Sequence, residues 1–250
     1  MKKLEKSLVI GAGTMGSGIA QAFAVAGLEV TLYDLSPGVP EKACASIEKS
    51  LQKLASKNKI DSALVPQIMG RIHPAENLDV ASGADFVIEV IVENIKAKTD
   101  LFEKLDAMCP EHTLLVSNTS SLSVTDMANA TRAERRPKVA GMHFFNPVPL
   151  MKLVEVVRTP FTSDETFEAV WKLAEDCGKS PVETKDTPGF LFNRLILPYL
   201  NEAMWAVYEG VGRIDDIDKA MQSLYSEKAL ITYPRVEVVQ LDTKMHGDIP

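Results

Sequence analysis

The sequence predicts an α/β fold, a mostly parallel sheet followed by a second, smaller all-α domain that reads as incomplete. Three observations carry this. Short apolar runs alternate with longer segments of helical period, the pattern of βαβ units that build a parallel sheet. A glycine-rich hexapeptide, Gly11-Ala12-Gly13-Thr14-Met15-Gly16, falls between the first apolar run and the first helical segment. Beyond Thr187-Pro188-Gly189 the apolar period becomes helical only. We therefore expect a sheet domain over residues 1–185 and a partial helical domain over 186–250, with a divergent tail at about 222–250.

The elements follow in order. Residues 7–10 read as a buried strand and 15–26 as a helix with small residues toward the sheet, stopped by Gly27. Residues 29–33 form the second strand. After Pro40 a long amphipathic helix puts Ile47, Leu51 and Leu54 on one face and Lys49, Lys53 and Lys57 on the other. Then come a strand at 85–90, a helix at 96–108 and a strand at 113–116. A short helix at 123–130 precedes strands at 138–142 and 153–157. The helix at 163–177 is capped by Ser163 and closed by Gly178, and 182–184 is the last strand. Leu195, Leu200, Met204 and Val207 mark a further helix ending at Gly210, and 215–224 another.

Composition narrows the class. With 250 residues, 46% hydrophobic and 24% charged, the chain can build a core without disulfide or metal staples. A formal net charge of −7 argues against a nucleic-acid surface and for a small-molecule partner. The basic cluster of Arg132, Arg135, Arg136 and Lys138 reads as a solvated loop. Cys44, Cys109 and Cys177 are odd in number and lack C-x-x-C spacing, so we expect reduced thiols. Met1-Lys2-Lys3 followed by Leu8-Val9-Ile10 superficially looks like a secretory signal, but the apolar run is too short. No stretch approaches the roughly 20 apolar residues of a membrane span. The expectation is a cytoplasmic protein with no membrane partner. Without H-E-x-x-H, clustered cysteines or G-x-S-x-G, neither a metal centre nor a serine hydrolase is indicated.

Gly11-Ala12-Gly13-Thr14-Met15-Gly16 is a G-x-G-x-x-G motif, weak by itself. Here it follows a strand, opens a helix, and is followed by a second strand ending at acidic Asp34, the context of a Rossmann dinucleotide site. Gly11 allows the tight turn, Gly13 lets the backbone approach a pyrophosphate, and Gly16 allows close helix–strand packing. The helix N-terminus, at Thr14 and Met15, supplies N–H groups and partial positive charge. Asp34 is expected to accept hydrogen bonds from the adenosine ribose. It would repel a 2′-phosphate, and Leu35-Ser36-Pro37 offers no arginine for one, so NAD is favoured over NADP. The plain alternative is a glycine-rich turn in some other α/β fold.

Polar segments stand where strand ends are expected: Ser117-Asn118-Thr119-Ser120-Ser121, His143-Phe144-Phe145-Asn146-Pro147, Leu153-Val154-Glu155-Val156-Val157, and Asp186-Thr187-Pro188-Gly189-Phe190 with Asn193-Arg194. Ligands of open α/β sheets bind outside the carboxyl ends of strands. A histidine there has the pKa range to take a hydroxyl proton, and a carboxylate such as Glu155 would orient its ring. At these residues the chain resembles the L-3-hydroxyacyl-CoA dehydrogenase family, nearest its bacterial 3-hydroxybutyryl-CoA members, from about Lys6 to about Met221. The resemblance implies NAD-dependent interconversion of (S)-3-hydroxyacyl-CoA and 3-oxoacyl-CoA, in fatty acid and butanoate metabolism, with acyl-CoA as partner. It implies a dyad of His143 as base and Glu155 as its partner. Ser120 and Asn193 would hold the substrate oxygen, with Asn146 lining the same pocket. It places Glu93 and Lys98 against the nicotinamide half of the cofactor, and Ser50 and Lys57 against coenzyme A. On the residues alone, His143 equally reads as a core histidine and Glu155 as a solvent-facing strand residue. Ser120 and Asn193 equally read as helix caps, and Lys57 as a solvated lysine.

After Asp215-Asp216-Ile217-Asp218-Lys219-Ala220-Met221 the chain departs from the family pattern, reading Gln222-Ser223-Leu224-Tyr225-Ser226 without a Met-Gly-Pro segment. This suggests a frameshifted or truncated helical domain, with a natural short member the alternative. Leu195, Leu197, Leu200 and Trp205 are then expected to expose an apolar patch, and a family-type homodimer is placed in doubt. Two other functions stay open: a protein that binds NAD(H) with little catalysis, and a dehydrogenase of free hydroxy acids.

Overall fold

The computed structural model describes residues 4–225. Along the chain run β1 (Lys6–Ile10), α1 (Thr14–Val25), β2 (Glu29–Tyr33), α2 (Val39–Ser56), α3 (Val65–Met69), β3 (Ile72–Ala75) and β4 (Phe86–Glu89). Then follow α4 (Ile95–Met108), β5 (Leu114–Ser117), α5 (Val124–Asn129), β6 (Val139–Phe144), β7 (Leu153–Arg158), α6 (Asp164–Asp176) and β8 (Ser180–Lys185). Among the described residues the strands form one eight-stranded sheet in the order β3-β2-β1-β4-β5-β6-β7-β8. Every neighbouring pair is parallel except β6 and β7. The order reverses at β1, the switch point where such sheets bind ligands.

The mostly parallel Rossmann-type sheet is as the alternating pattern predicted. β4, β5 and β6 are buried at every residue, as expected of parallel strands covered on both faces. Alternation along each strand sorts the side chains. Val9, Ile88, Val116, Met142 and Phe144 join the core beneath α1, α2 and α6. Leu8, Ile10, Val87, Leu115 and Val139 join the one beneath α4 and α5. Two-residue periodicity therefore projects Glu89, Ser117 and His143 toward the α4–α5 side.

Besides the short helix α3, two features of the sheet were not anticipated from the sequence. β3, with the sequence Ile-His-Pro-Ala, has no apolar alternation to betray it and pairs only with β2. Pro74 is tolerated because an edge strand does not need every N–H. β6 runs on to Phe144, because the antiparallel partner β7 continues the ladder past the end of β5.

The chain divides into a unit Met1–Leu191 and a unit Phe192–Pro250. The second contains α7 (Phe192–Tyr208), with Pro198 inside it, and α8 (Ile214–Tyr225). α7 has no buried residue. Leu195, Leu197 and Trp205 are 66%, 59% and 49% exposed, while Leu200 is half-buried. The departure expected over about 222–250 starts within α8 and from residue 226 lies outside the described residues.

One buried ionic cluster fixes α4 against the segment leading into β6. Asp106 accepts from Arg132 and from the Arg135 Nε at 2.9 Å, and the Arg135 guanidinium also donates to the carbonyls of Cys109, Pro110, Glu111 and Thr113. The basic cluster read as a solvated loop is thus partly structural, since the Arg135 side chain is 2% exposed. Arg135→Met strands a buried carboxylate and several carbonyls and is expected to cost about 3–5 kcal/mol of unfolding free energy, measured by urea denaturation; a loss under about 1 kcal/mol would show that the cluster is not structural.

Candidate active site

The turn between β1 and α1 is built by glycine at its two closed positions and left open at the third. Gly11 has φ +104° and its N–H donates to the Tyr33 carbonyl at 2.8 Å. A Cβ on Gly11 would sit 2.5 Å from the Val90 oxygen, and one on Gly16 would sit 1.7 Å from the Gly11 oxygen. At Gly13 nothing lies within 4 Å of where a Cβ would be. Thr14 is exposed and Met15 half-buried, no side chain caps the α1 N-terminus, and its first turn has no acidic residue. An open cradle at a positively polarised helix end fits a pyrophosphate. Half-buried Asp34 holds this loop: Oδ2 accepts from the Ala12 N–H at 2.8 Å and Oδ1 from the Ser36 N–H at 2.9 Å. Each oxygen keeps a further lone pair for a ribose hydroxyl.

On the other side of β1, strand register sets Ile10, Glu89, Ser117 and Gly141 side by side at the carboxyl ends. Fully buried Glu89 accepts from the Ile91 N–H at 2.7 Å, the Lys98 Nζ at 2.5 Å and the Ser117 hydroxyl at 2.6 Å. Lys98 is itself buried, and its ammonium also reaches Glu93 Oε2 at 3.2 Å. Glu93 Oε1 accepts from the Thr119 hydroxyl, from the Ser120 N–H at 3.0 Å and from the Ser120 hydroxyl at 3.4 Å. Burial pushes the Glu93 carboxyl up, but the Thr119 hydroxyl, the charge of Lys98 and the Ser120 N–H outweigh it and hold it below the ordinary range. Lys98, expected against the cofactor, thus points into the protein and reaches the surface only through Glu93. The N-cap of α5 is Ser123, not Ser120.

His143 and Glu155 face each other directly across the antiparallel pair β6–β7. The ring Nδ1 lies 2.7 Å from Glu155 Oε2, with the histidine side chain 8% and the glutamate 0% exposed. Glu155 is therefore not the solvent-facing strand residue that alternation alone allowed. Its other oxygen accepts from the Leu191 N–H at 2.9 Å. A carboxylate at Oε2 pairs with the tautomer in which Nδ1 donates, which leaves Nε2 as the accepting nitrogen. The imidazole sits between Phe145 and Phe190, with ring centroids 4.4 and 5.9 Å away. Phe190 follows Gly189, both with positive φ (49° and 77°), and this turn presents the Leu191 N–H to Glu155.

Three residues without an assigned role in the sequence reading also shape the site. Asn118 Oδ1 accepts from the Phe144 N–H at 2.9 Å, supplying a rung to β6 where β5 has ended. Asp186 accepts from the Val124 and Thr125 N–H groups at 3.2 and 2.6 Å, capping α5 from more than 60 residues away. Glu89 was hidden in an apolar strand, its acidity in Phe-Val-Ile-Glu being the one signal. Asn146 is exposed in the loop after β6. Ser50, half-buried, and Lys57, exposed at the end of α2, belong to a helix packed on α1, α3 and β3, at the far edge from β6 and β7. Asn193 lies in α7, in the other unit, and is half-buried.

Other chemistries find little support. Burial pushes the Cys109 thiol up to about 11 and the Cys177 thiol up to about 12, so neither is a ready nucleophile. Among the described residues no group of three or more His, Cys, Asp or Glu side chains could hold a metal ion, and no helix is long and apolar enough to cross a membrane. Clefts of about 390 Å³ beside Asp85 and His112 and about 640 Å³ beside Gly27 and Leu173 lie at the amino ends of the strands, the end of such sheets that ligands avoid.

Comparison with known proteins agrees with the geometry. The model of the family described as 3-hydroxyacyl-CoA dehydrogenase, NAD binding domain, matches residues 6–187, and that of its C-terminal domain matches 189–227. A probable 3-hydroxybutyryl-CoA dehydrogenase of Bacillus subtilis (strain 168) is 48% identical over 88% of this chain and 76% of its own length. The mitochondrial hydroxyacyl-coenzyme A dehydrogenase of Homo sapiens is 45% identical over 94% of this chain and 76% of its own. The crystal structure of (S)-3-hydroxybutyryl-CoA dehydrogenase from Ralstonia eutropha superposes with a TM-score of 0.84 at 40% identity, covering 88% of this chain and 77% of that one.

Two outcomes follow from the geometry. Gly13→Ala is expected to fold with an unchanged melting temperature and to weaken NADH binding at least about tenfold, whereas Gly16→Ala disrupts the turn and loses the fold; fluorescence titration and circular dichroism separate the two, and full-strength NADH binding by Gly13→Ala would disprove the cradle. Glu93 has a folded pKa below its unfolded one, so its stabilisation is full above the unfolded value and lost as pH falls through the folded one. Wild type and Glu93→Gln should therefore differ in stability at neutral pH, and the difference should begin to shrink as pH falls below about 4 to 5 and keep shrinking toward the folded pKa; parallel urea-derived curves across that range would contradict the assignment.

Proposed function

The chain belongs to the 3-hydroxyacyl-CoA dehydrogenase family, and from that premise we propose that it interconverts (S)-3-hydroxyacyl-CoA, short-chain 3-hydroxybutyryl-CoA in particular, and 3-oxoacyl-CoA with NAD. The observation that carries the proposal is the buried His143–Glu155 pair, 2.7 Å apart across the strands at the ligand-binding end of the sheet.

The residues divide the work. Gly11, Gly13, Thr14, Met15 and Gly16 hold the pyrophosphate and Asp34 the adenosine ribose, while Glu93 and Ser120 face the nicotinamide side, with Lys98 positioning Glu93. When bound, NAD supplies the acceptor for the hydride that leaves the substrate carbon. His143 Nε2 takes the proton of the substrate hydroxyl as the carbonyl forms, and returns it in the reverse direction. Glu155 fixes the ring tautomer and offsets the charge of the imidazolium, itself held by the Leu191 N–H. Phe145 and Phe190 keep water from the ring, which strengthens the pair. By the family resemblance, Ser120 and Asn146 are assigned to the substrate side, as is Asn193 of the helical unit, and Ser50 and Lys57 to the coenzyme A portion.

A second reading, NAD(H) binding without turnover, is favoured by one observation: α7, the helix that carries Asn193, buries none of its residues. Acetoacetyl-CoA-dependent oxidation of NADH, followed by absorbance, decides between them. Turnover that falls about 10²–10⁴-fold in His143→Ala, with NADH binding unchanged, supports the dehydrogenase. Turnover that survives in His143→Ala disproves the assigned base. NADH binding with no turnover on acetoacetyl-CoA or on free 3-oxo acids establishes the second reading.

A further inference from the structure

Glu89 and Lys98, each with a side chain 1% exposed, form an ion pair at 2.5 Å. Such a pair is seldom more stabilising than apolar residues of the same volume, so stability alone is a weak reason for it. Nor is it self-contained. Lys98 also lies 3.2 Å from Glu93, whose side chain is 39% exposed. Two carboxylates thus share one ammonium, and among the described residues no other cation is within ion-pair distance of either. The cluster carries one net negative charge, and only Glu93 brings it to the surface.

The position of that surface follows from topology. The α1 N-terminus and Asp34 take the pyrophosphate and the adenosine side over β1 and β2. Because the strand order reverses at β1, the other half of a dinucleotide crosses toward β4 and β5, where Glu93 and Ser120 meet. The nicotinamide ring is cationic when oxidised and neutral when reduced. Glu89 is fixed by three donors from β5, α4 and the loop after β4, so its charge cannot swing away when the ring's charge changes.

Resting on the NAD reading above, we propose that the Glu89–Lys98–Glu93 cluster sets the relative affinity of the site for the two redox states of the cofactor, its net negative charge favouring the oxidised form. Glu89 is then an electrostatic positioning residue that touches neither substrate nor cofactor. Lys98 moderates the field: without it the site would carry two like charges at one end of the crevice.

The test is the ratio Kd(NAD⁺)/Kd(NADH), obtained by fluorescence titration and competition on the full chain. Glu89→Gln makes the cluster neutral and is expected to raise the ratio about three- to tenfold. The double variant Glu89→Gln/Lys98→Met has one net negative charge again and should return to within about twofold of wild type. A purely structural pair would weaken both ligands alike, so an unmoved ratio in Glu89→Gln overturns the proposal, as does a double variant that stays shifted. If Glu89→Gln does not fold, Glu93→Gln, which also makes the cluster neutral, is expected to raise the ratio in the same direction, and a ratio that stays or falls overturns the proposal. A wild-type chain that binds neither form instead defeats the NAD reading on which the proposal rests.

Discussion

Complete burial of Glu155 is the constraint around which the site is organised. A carboxylate with no access to water must find a donor for each oxygen, or it shifts to the neutral form and cannot serve a histidine. One donor is His143, which faces Glu155 only because β7 runs antiparallel to β6 in an otherwise parallel sheet. Another is the Leu191 N–H, which reaches Glu155 because Gly189 and Phe190 turn the chain through the left-handed region. The same turn seats Phe190 beside the imidazole. Strand direction, the exit of the chain from the sheet and the shielding of the ring therefore all answer to one buried charge.

The cofactor side shows the same rule with more members. Glu89 is also fully buried, and its donors come from the loop after β4, from α4 and from β5. Pairing it with Lys98 leaves that ammonium free to reach Glu93, and Glu93 in turn collects Thr119 and Ser120. A core ion pair thereby controls a half-exposed carboxylate and the loop that carries Ser120. Asn118 and Asp186 extend the scheme, one supplying a missing rung to β6 and the other capping α5. Polar groups at the carboxyl ends of the strands hold one another, so the residues that face the ligand side need not be rigid by themselves.

Much of this was legible from the residues. The β1–α1–β2 unit announces itself because glycine at 11 and 16 is required sterically and glycine at 13 leaves the cradle open, and the cofactor class follows from Asp34 at the end of the second strand. The long helices show in their 3.6-residue period, and Ser163 marks its own helix start because a cap acts over three residues. β3 was not legible, since an edge strand tolerates His73 and Pro74 and needs no apolar alternation. Nor was the structural use of Arg135, whose partners are carbonyls that carry no sequence identity.

The sequence by itself determined what depends on neighbours along the chain: the alternation of strands and helices, the glycine turn, the acidic end of β2 and the presence of a histidine and a glutamate on two late strands. Only the tertiary structure decided whether those types become a site. His143 and Glu155 are 12 residues apart in sequence, and whether they meet depends on strand direction and register, where a slip of one residue would turn every side chain to the opposite face. Glu89 and Ser117 are 28 residues apart and adjacent only because β4 and β5 pair in parallel. Burial likewise gives these carboxylates their strength, and burial belongs to the packed sheet and its covering helices, not to any single stretch of the chain.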